Sequence, residues 1–274
     1  MKIPLAGVIG SPIAHSKSPA LHGHWLTQHG IPGYYCPMDV APQDLQTVLR
    51  ALPKAGFKGV NITIPHKESA LALADSASPS AQRIGAANTL IYQQDGQIYA
   101  DNTDAYGFIT NLRSGAPDWQ PADGAAMVLG AGGAARAVIV ALLDAGVPQI
   151  ILANRTRSRA DHLAQTFGPH LVVVDWDKVA DHLSDIGLLV NTTSLGMTGK
   201  PPLSVDLTGL APGAVVNDLV YAPLRTPLLE AAAAKGCVTV DGLGMLLHQG
   251  VPGFAAWFGV TPTVSEQTRR AVLA

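Results

Sequence analysis

Charge is scarce in this chain. Lys, Arg, Asp and Glu together make up 14% of its 274 residues, against roughly 25% in a typical soluble domain. The 18 basic and 20 acidic residues leave a formal net charge of -2. That gives no electrostatic footprint for nucleic acid, which shows as clustered Lys and Arg with strong positive charge. Cysteine is scarcer still: Cys36 and Cys237 stand alone, with no CxxC and no Cys/His spacing around either, so both are expected as buried thiols in a reducing cytoplasm. Long apolar runs are missing too. No stretch approaches the about 18 residues of a membrane span. Met1 to Ile9, interrupted by Pro4 and Gly7, is too short for a signal sequence and is expected to be a buried first strand. The nine His show no HExxH, and His22 and His24, two apart, point to different helix faces. The expectation is a cytoplasmic protein with a small-molecule partner and no metal, nucleic acid or membrane. The oligomeric state stays open, a homodimer being one outcome.

What is present is apolar residues, at 47%, with 28 Gly and 20 Pro to build loops in place of charge. The length gives a prior of about two domains. The first hundred residues alternate β runs with helical stretches: Leu5 to Ile9, Ser18 to His29, Tyr34 to Met38, Pro42 to Leu52 and Gly59 to Ile64. Ile91 to Ala100 reads as a hairpin turning at Asp95 and Gly96. Asp101 to Asp104 has loop chemistry, a helix is expected from about Ala105 to Leu112, and Gly115 to Gly124 looks like a linker. From Ala125 a cleaner βαβ rhythm begins. Strands are expected at Ala126 to Leu129, Ile150 to Ala153, Leu171 to Val174, Leu188 to Val190, Val215 to Leu219 and Val238 to Val240, with helices at Ala134 to Asp144 and Arg159 to Phe167. This is the pattern of a Rossmann-type, doubly wound parallel sheet. The tail from Leu243 to Ala274 holds two helical stretches without a strand partner, which places it back on the first domain.

Gly130, Gly132 and Ala135 form GxGxxA directly after an apolar strand and at the start of a helix, the context that a dinucleotide fingerprint requires. The first glycine permits the tight turn and the second lets the backbone approach a pyrophosphate. The small sixth residue lets helix and sheet pack closely, and the free N–H groups of the helix start attract the anion. An NAD site usually ends its second strand in Asp or Glu. Here Asn154 ends it, followed by Arg155, Arg157 and Arg159. Guanidinium groups suit a 2′-phosphate through charge-assisted bonds, and a basic helix start is otherwise unfavourable to the helix dipole. NADP is the expected cofactor.

In HSKSP, Ser16 and Ser18 flank Lys17, with Ser18 as the expected N-cap and Pro19 as the first helical residue. The segment reads either as a carboxylate site or as plain helix capping. Asn61 and Thr63 share one face of their strand, while Ile62 and Ile64 are expected to face the core, and Lys67 follows just past Pro65. Polar side chains aligned on an apolar strand need partners, which a polyhydroxylated ligand would supply.

HSKSP, GVNITIPHK, IGAANTL, DNTDAYG, GAGGAAR, NRTRSRA, NTTSLGM and DGLGMLLHQG occur in the order seen in the shikimate/quinate dehydrogenase family, which the chain resembles over almost its whole length. The resemblance implies an α/β substrate domain, residues 1–104, completed by C-terminal helices, 241–274, around an NADP-binding Rossmann domain at 105–240. It implies reversible NADPH-dependent reduction of 3-dehydroshikimate to shikimate, in chorismate and aromatic amino acid biosynthesis, with Lys67 and Asp104 as the catalytic pair. Ser16, Ser18, Asn61, Thr63, Lys67, Asn88, Asp104, Tyr221 and Gln249 would surround the substrate. Gly130, Ala131, Gly132, Gly133, Ala134, Asn154, Arg155, Thr156, Arg159, Thr193, Leu219 and Gly242 would line the cofactor. Ala87, Ala105 and Leu219 depart mildly from the family pattern, and none removes a polar group with a chemical role. Which of Lys67 and Asp104 transfers the proton stays open. Two rival readings are an enzyme that oxidises quinate with NAD or NADP and an NADP-binding sensor without turnover, the second disfavoured by the presence of both Lys67 and Asp104.

Overall fold

The alternation of β-branched runs with helical stretches builds two six-stranded sheets. The computed structural model describes residues 3–274, so the first two positions of the Met1 to Ile9 reading lie outside the described residues. The chain divides into two compact units, one made of Met1–Gly107 with Leu246–Ala274 and the other of Phe108–Met245.

The first unit runs β1 Leu5–Gly10, α1 Ser18–Gln28, β2 Tyr34–Asp39, α2 Leu45–Ala51, β3 Phe57–Ile62, α3 Lys67–Leu73, β4 Ser76–Ala77, α4 Pro79–Ile84, β5 Thr89–Tyr92 and β6 Ile98–Asp101. Helix α5, Asp104–Gly115, begins in it. Its sheet has the order β2-β1-β3-β5-β6-β4. β1 pairs parallel with β2 and β3, whereas β5 runs antiparallel to both β3 and β6. Ile9, Val60, Ile62, Leu90 and Ile98 from the sheet pack with Leu45 and Leu49 of α2. Each such side chain contributes about 1.5–3 kcal/mol by leaving water.

The second unit runs β7 Ala125–Leu129, α6 Gly133–Ala145, β8 Ile150–Ala153, α7 Arg157–Phe167, β9 Leu171–Val174, β10 Ile186–Asn191, β11 Val215–Asp218, α8 Pro227–Ala234 and β12 Val238–Val240. Its sheet is parallel throughout, in the order β12-β11-β10-β7-β8-β9. This is the expected Rossmann-type order, with β7 and β10 side by side where the winding reverses. Both faces of such a sheet are covered, which is why β7 and β8 read as unbroken apolar runs. Helix α9, Leu243–Phe258, begins in this unit and continues in the first, which also holds α10, Glu266–Leu273. Among the described residues no helix is long and apolar enough to cross a membrane.

Several local expectations are corrected. Helix α1 already includes Ser18, with Lys17 at its N-cap and no side-chain cap. The Ser16 hydroxyl instead accepts from the Ser18 N–H at 3.3 Å. Ile64 is 58% exposed rather than in the core, because β3 ends at Ile62 and the chain turns, His66 N–H bonding to the Thr63 carbonyl. Cys36 is only half-buried, since β2 is an edge strand, while Cys237 is buried. The hairpin arms are Thr89–Tyr92 and Ile98–Asp101, joined by a loop longer than a two-residue turn.

Candidate active site

Lys67 opens α3 and Asp104 opens α5. In the first unit their side chains form an ion pair, Lys67 Nζ donating to Asp104 Oδ2, with side-chain exposures of 15% and 6%. The DNTD segment sets the carboxylate in place. Asn102 Oδ1 accepts from the Asp104 N–H at 3.0 Å, and Asn102 Nδ2 donates to the Ala86 carbonyl at 2.8 Å. A helix N-terminus favours the negative charge of Asp104 and disfavours the positive charge of Lys67, so the lysine depends on its partner. Removing one member of a buried pair costs about 3–5 kcal/mol, because the other is left uncompensated.

Asn88 ties this pair to the rest of the unit. Its Nδ2 lies 2.9 Å from Asp104 Oδ1, 2.9 Å from Thr103 Oγ1 and 3.1 Å from Gln249 Oε1. Its Oδ1 accepts from Thr103 N–H at 2.8 Å and from the Thr89 hydroxyl at 3.0 Å. The Thr103 hydroxyl donates to the Gln249 carbonyl at 2.8 Å, fastening α9 to the DNTD loop. Asn61 joins through Nδ2, which donates to the Asn88 carbonyl at 3.1 Å and to Thr89 Oγ1 at 3.2 Å. Its Oδ1 accepts from the Tyr35 hydroxyl at 2.7 Å. Burial pushes the Tyr35 phenol well above its usual range, with the neighbouring Ser18 hydroxyl pulling the other way. Thr63 is half-buried and its hydroxyl has no partner among the described residues.

Thus Asn61, Lys67, Asn88, Asp104 and Gln249 meet in one hydrogen-bonded cluster, with Ser18 beside its Tyr35 member. Ser16, two residues before Ser18, accepts from the Ser18 N–H, and Tyr221 belongs to the second unit. Sequence reasoning missed Tyr35, Thr89, Asn102 and Thr103. Thr89, Asn102 and Thr103 lie inside the motifs IGAANTL and DNTDAYG, whereas Tyr35 carries no sequence signal beyond a β-favouring run.

In the second unit the GxGxxA turn follows β7. Gly130 has φ +110°, and a Cβ there would lie 2.5 Å from Thr192 Oγ1 and 3.0 Å from Thr193 Cγ2, so only glycine fits. Gly132 is the N-cap of α6, no side chain caps that helix, and a Cβ built on Gly132 meets nothing within 4 Å. The result is open space in front of uncapped N–H groups, which fits a pyrophosphate. Ala135 is fully buried where the helix approaches the sheet. Past β8, Asn154 Nδ2 donates to the Thr156 carbonyl at 2.8 Å. Arg157 is engaged by Asp175 at 2.6 Å and Asp161 at 3.7 Å. Arg155 and Arg159 are exposed and have no acidic partner among the described residues, which leaves two guanidinium groups for a phosphate. A Cβ on Gly242 would overlap the Leu219 carbonyl, so these two expected cofactor residues touch backbone to backbone. No cluster of three or more His, Cys, Asp or Glu suited to a metal occurs among the described residues.

Comparison with known proteins agrees with this geometry. A family model described as the shikimate dehydrogenase substrate binding domain matches residues 8–90, and one described as shikimate / quinate 5-dehydrogenase matches residues 118–197. The shikimate dehydrogenase (NADP(+)) of Roseobacter denitrificans is 64% identical over 272 residues, covering 99% of this chain and 98% of that protein. Among solved structures, shikimate 5-dehydrogenase of Thermus thermophilus in complex with NADP(H) and shikimate is 42% identical, with a TM-score of 0.85, covering 98% of this chain and 100% of the other. Quinate dehydrogenase of Corynebacterium glutamicum in complex with NAD is 34% identical, with a TM-score of 0.91, covering 99% of each chain. With both family models matched in order and a relative this similar along its whole length, the chain belongs to the shikimate dehydrogenase family.

Proposed function

We propose that the protein is an NADP-dependent oxidoreductase that reversibly reduces 3-dehydroshikimate to shikimate. The observation that carries this reading is the buried Lys67–Asp104 pair, bonded to Asn88, which in turn meets Gln249, in a polar cluster whose groups suit a hydroxylated ring. When bound, NADPH supplies the hydride that adds to the ketone carbon and leaves as NADP+. The chain's own residues supply the proton and fix the substrate. Both Asp104 oxygens already accept hydrogen bonds, from Lys67 and from Asn88, whereas Lys67 Nζ carries N–H groups beyond the one given to Asp104. Lys67 is therefore the proposed proton donor to the alkoxide oxygen, and Asp104 orients it and accepts from a substrate hydroxyl. Ser16 and Ser18 are proposed to hold the carboxylate, with Asn61, Thr63, Asn88, Tyr221 and Gln249 contacting the ring.

Gly130 to Ala134 are proposed to cradle the pyrophosphate, and Asn154, Arg155, Thr156 and Arg159 the ribose and its 2′-phosphate. Thr193, Leu219 and Gly242 are proposed at the nicotinamide side. The likeness to an NAD-bound quinate dehydrogenase makes quinate oxidation the competing reading, which the two unpaired arginines oppose. Steady-state oxidation of shikimate and quinate with NADP and with NAD tests it. The highest kcat/KM is expected for shikimate with NADP. A preference for quinate and NAD would transfer the reading to quinate oxidation, and NADP binding without turnover would make the protein a sensor. The proposed setting is the cytoplasm, without nucleic acid or membrane partners. A homodimer is the proposed assembly, and sedimentation of the purified chain decides it.

A further inference from the structure

Beside the Gly130 turn, the second unit carries a buried polar chain to which none of the roles above gives work. Asn191 ends β10 and Asp218 ends β11, and the strand register sets them side by side. Asn191, Asp218 and Thr226 are all 0% exposed. Asp218 Oδ1 accepts from Asn191 Nδ2 at 2.8 Å and from Val220 N–H at 3.0 Å, and its Oδ2 accepts from the Thr226 hydroxyl at 2.6 Å. Thr226 is in turn the N-cap of α8. Because Asn191 donates to Asp218, its Oδ1 faces the other way and accepts from the Thr193 N–H at 3.0 Å and hydroxyl at 2.7 Å. The Leu219 N–H bonds to the Asn191 carbonyl at 3.0 Å. Thr192 closes the path, its hydroxyl donating to the Leu129 carbonyl at 2.7 Å, one residue before Gly130.

A buried carboxylate without a cation beside it is costly, and burial raises the Asp218 carboxyl above its usual range. Among the described residues it makes no ion pair. What a carboxylate offers here is acceptor capacity, since three donors converge on it and neither of the two N–H donors can reverse its direction. The groups thereby fixed are Thr193 and the Leu219–Tyr221 segment, at the carboxyl ends of parallel strands where such sheets bind ligands.

We infer that Asp218 is a positioning residue for NADP: acting through Asn191 and Val220, it holds Thr193 and the Leu219–Tyr221 segment in register with the Gly130 turn. This rests on the NADP reading above. The test is calorimetric titration of the purified full chain with NADP and, separately, with shikimate, at a temperature below the melting transition of every variant. Asp218→Ala is expected to weaken NADP binding by about ten-fold, the effect of losing one well-made buried bond, with shikimate affinity unchanged. Asp218→Asn should restore NADP affinity to within about three-fold of the parent, because its amide oxygen still accepts from Asn191 and Val220 while Thr226 turns to accept. If Asp218→Ala does not fold, Thr226→Val serves instead. It leaves one Asp218 oxygen without a donor and should weaken NADP at least about three-fold. A parent-like NADP affinity in the variant used, whatever its melting temperature, overturns the inference. So does an equal loss of shikimate affinity, which would mark a general structural role. Failure of the parent chain to bind NADP would instead remove the reading beneath it.

Discussion

Lys67 and Asp104 act as a unit, so their substitutions should not behave independently. Lys67→Ala is expected to lower kcat by about 10²- to 10⁴-fold, the range for a lost general acid, with a much smaller change in KM for shikimate. A proton donor interacts chiefly with charge that develops on the oxygen in the transition state, whereas the ring is held by several other polar groups. Asp104→Ala should impair both parameters, and the double substitution should cost less than the two single losses multiplied. Near-normal kcat with a raised KM in Lys67→Ala would make Lys67 a binding residue. The arginines give a second residue-level expectation. Arg155→Ala or Arg159→Ala should each remove about 1.5–3 kcal/mol of charge-assisted bonding to the 2′-phosphate, raising KM for NADP and leaving that for NAD unchanged. Arg157, already engaged by Asp175 and Asp161, should show no such selectivity. Equal losses for both cofactors would show that the cluster does not read the phosphate. These residues were visible in the sequence because they sit inside contiguous motifs. Tyr35 was not, since its bond to Asn61 spans 26 positions and exists only because β2, β1 and β3 lie side by side.

At the level of elements, what could be read early was whatever depends on local periodicity. The apolar runs of β7, β8 and β9 and the Gly-rich turn need only neighbours in the chain to be recognised, and the βαβ rhythm then dictates a parallel sheet. Tertiary contacts decided the rest. Helix α1 begins at Ser18, with Lys17 at its N-cap, and the Ser18 N–H turns to the Ser16 hydroxyl. The two-residue β4 forms only because its partner β6 offers Tyr99 and Ala100 in register. Asn191 was expected just beyond its strand and Asp218 inside another, and only the pairing of β10 with β11 shows that they face each other. The meeting of the segment after β11 with the start of α9 is another such contact, with Gly242 packed against the Leu219 carbonyl. Gly242→Ala would drive a methyl into backbone that cannot rotate away. It is expected to cost about 1–3 kcal/mol in urea unfolding and to weaken NADP binding through displacement of Leu219. Unchanged urea midpoint and NADP affinity would mean that the two segments part without consequence.

For the molecule as a whole, acid stability follows from a buried histidine that the proposed chemistry does not use. His22 is fully buried, its ring stacked on Tyr35 at 4.0 Å and flanked by Trp25, Phe254 and Trp257. Neither ring nitrogen has a hydrogen-bond partner among the described residues. Burial accordingly lowers its pKa from 6.5 to about 3. The unfolded chain takes up this proton near pH 6.5 and the folded protein only near pH 3, so stability is complete above the first value and drains away towards the second. At pH 5 the loss from this one group is about 2 kcal/mol, a large part of the stability of an ordinary domain. His248, half-buried and also lowered by desolvation, adds to the loss. Asp218 acts in the opposite sense, because its raised carboxyl is protonated in the folded protein before it is in the unfolded chain, and acidification relieves a penalty there. Replacing His22 isolates its share from both. His22→Phe preserves a flat ring against Tyr35 and cannot take up a proton. Between pH 7.5 and pH 5 it should therefore lose about 2 kcal/mol less unfolding free energy than the parent, whatever its stability at neutral pH. Urea titrations of the two proteins at both pH values measure the difference, and parallel losses would place the acid sensitivity in other groups.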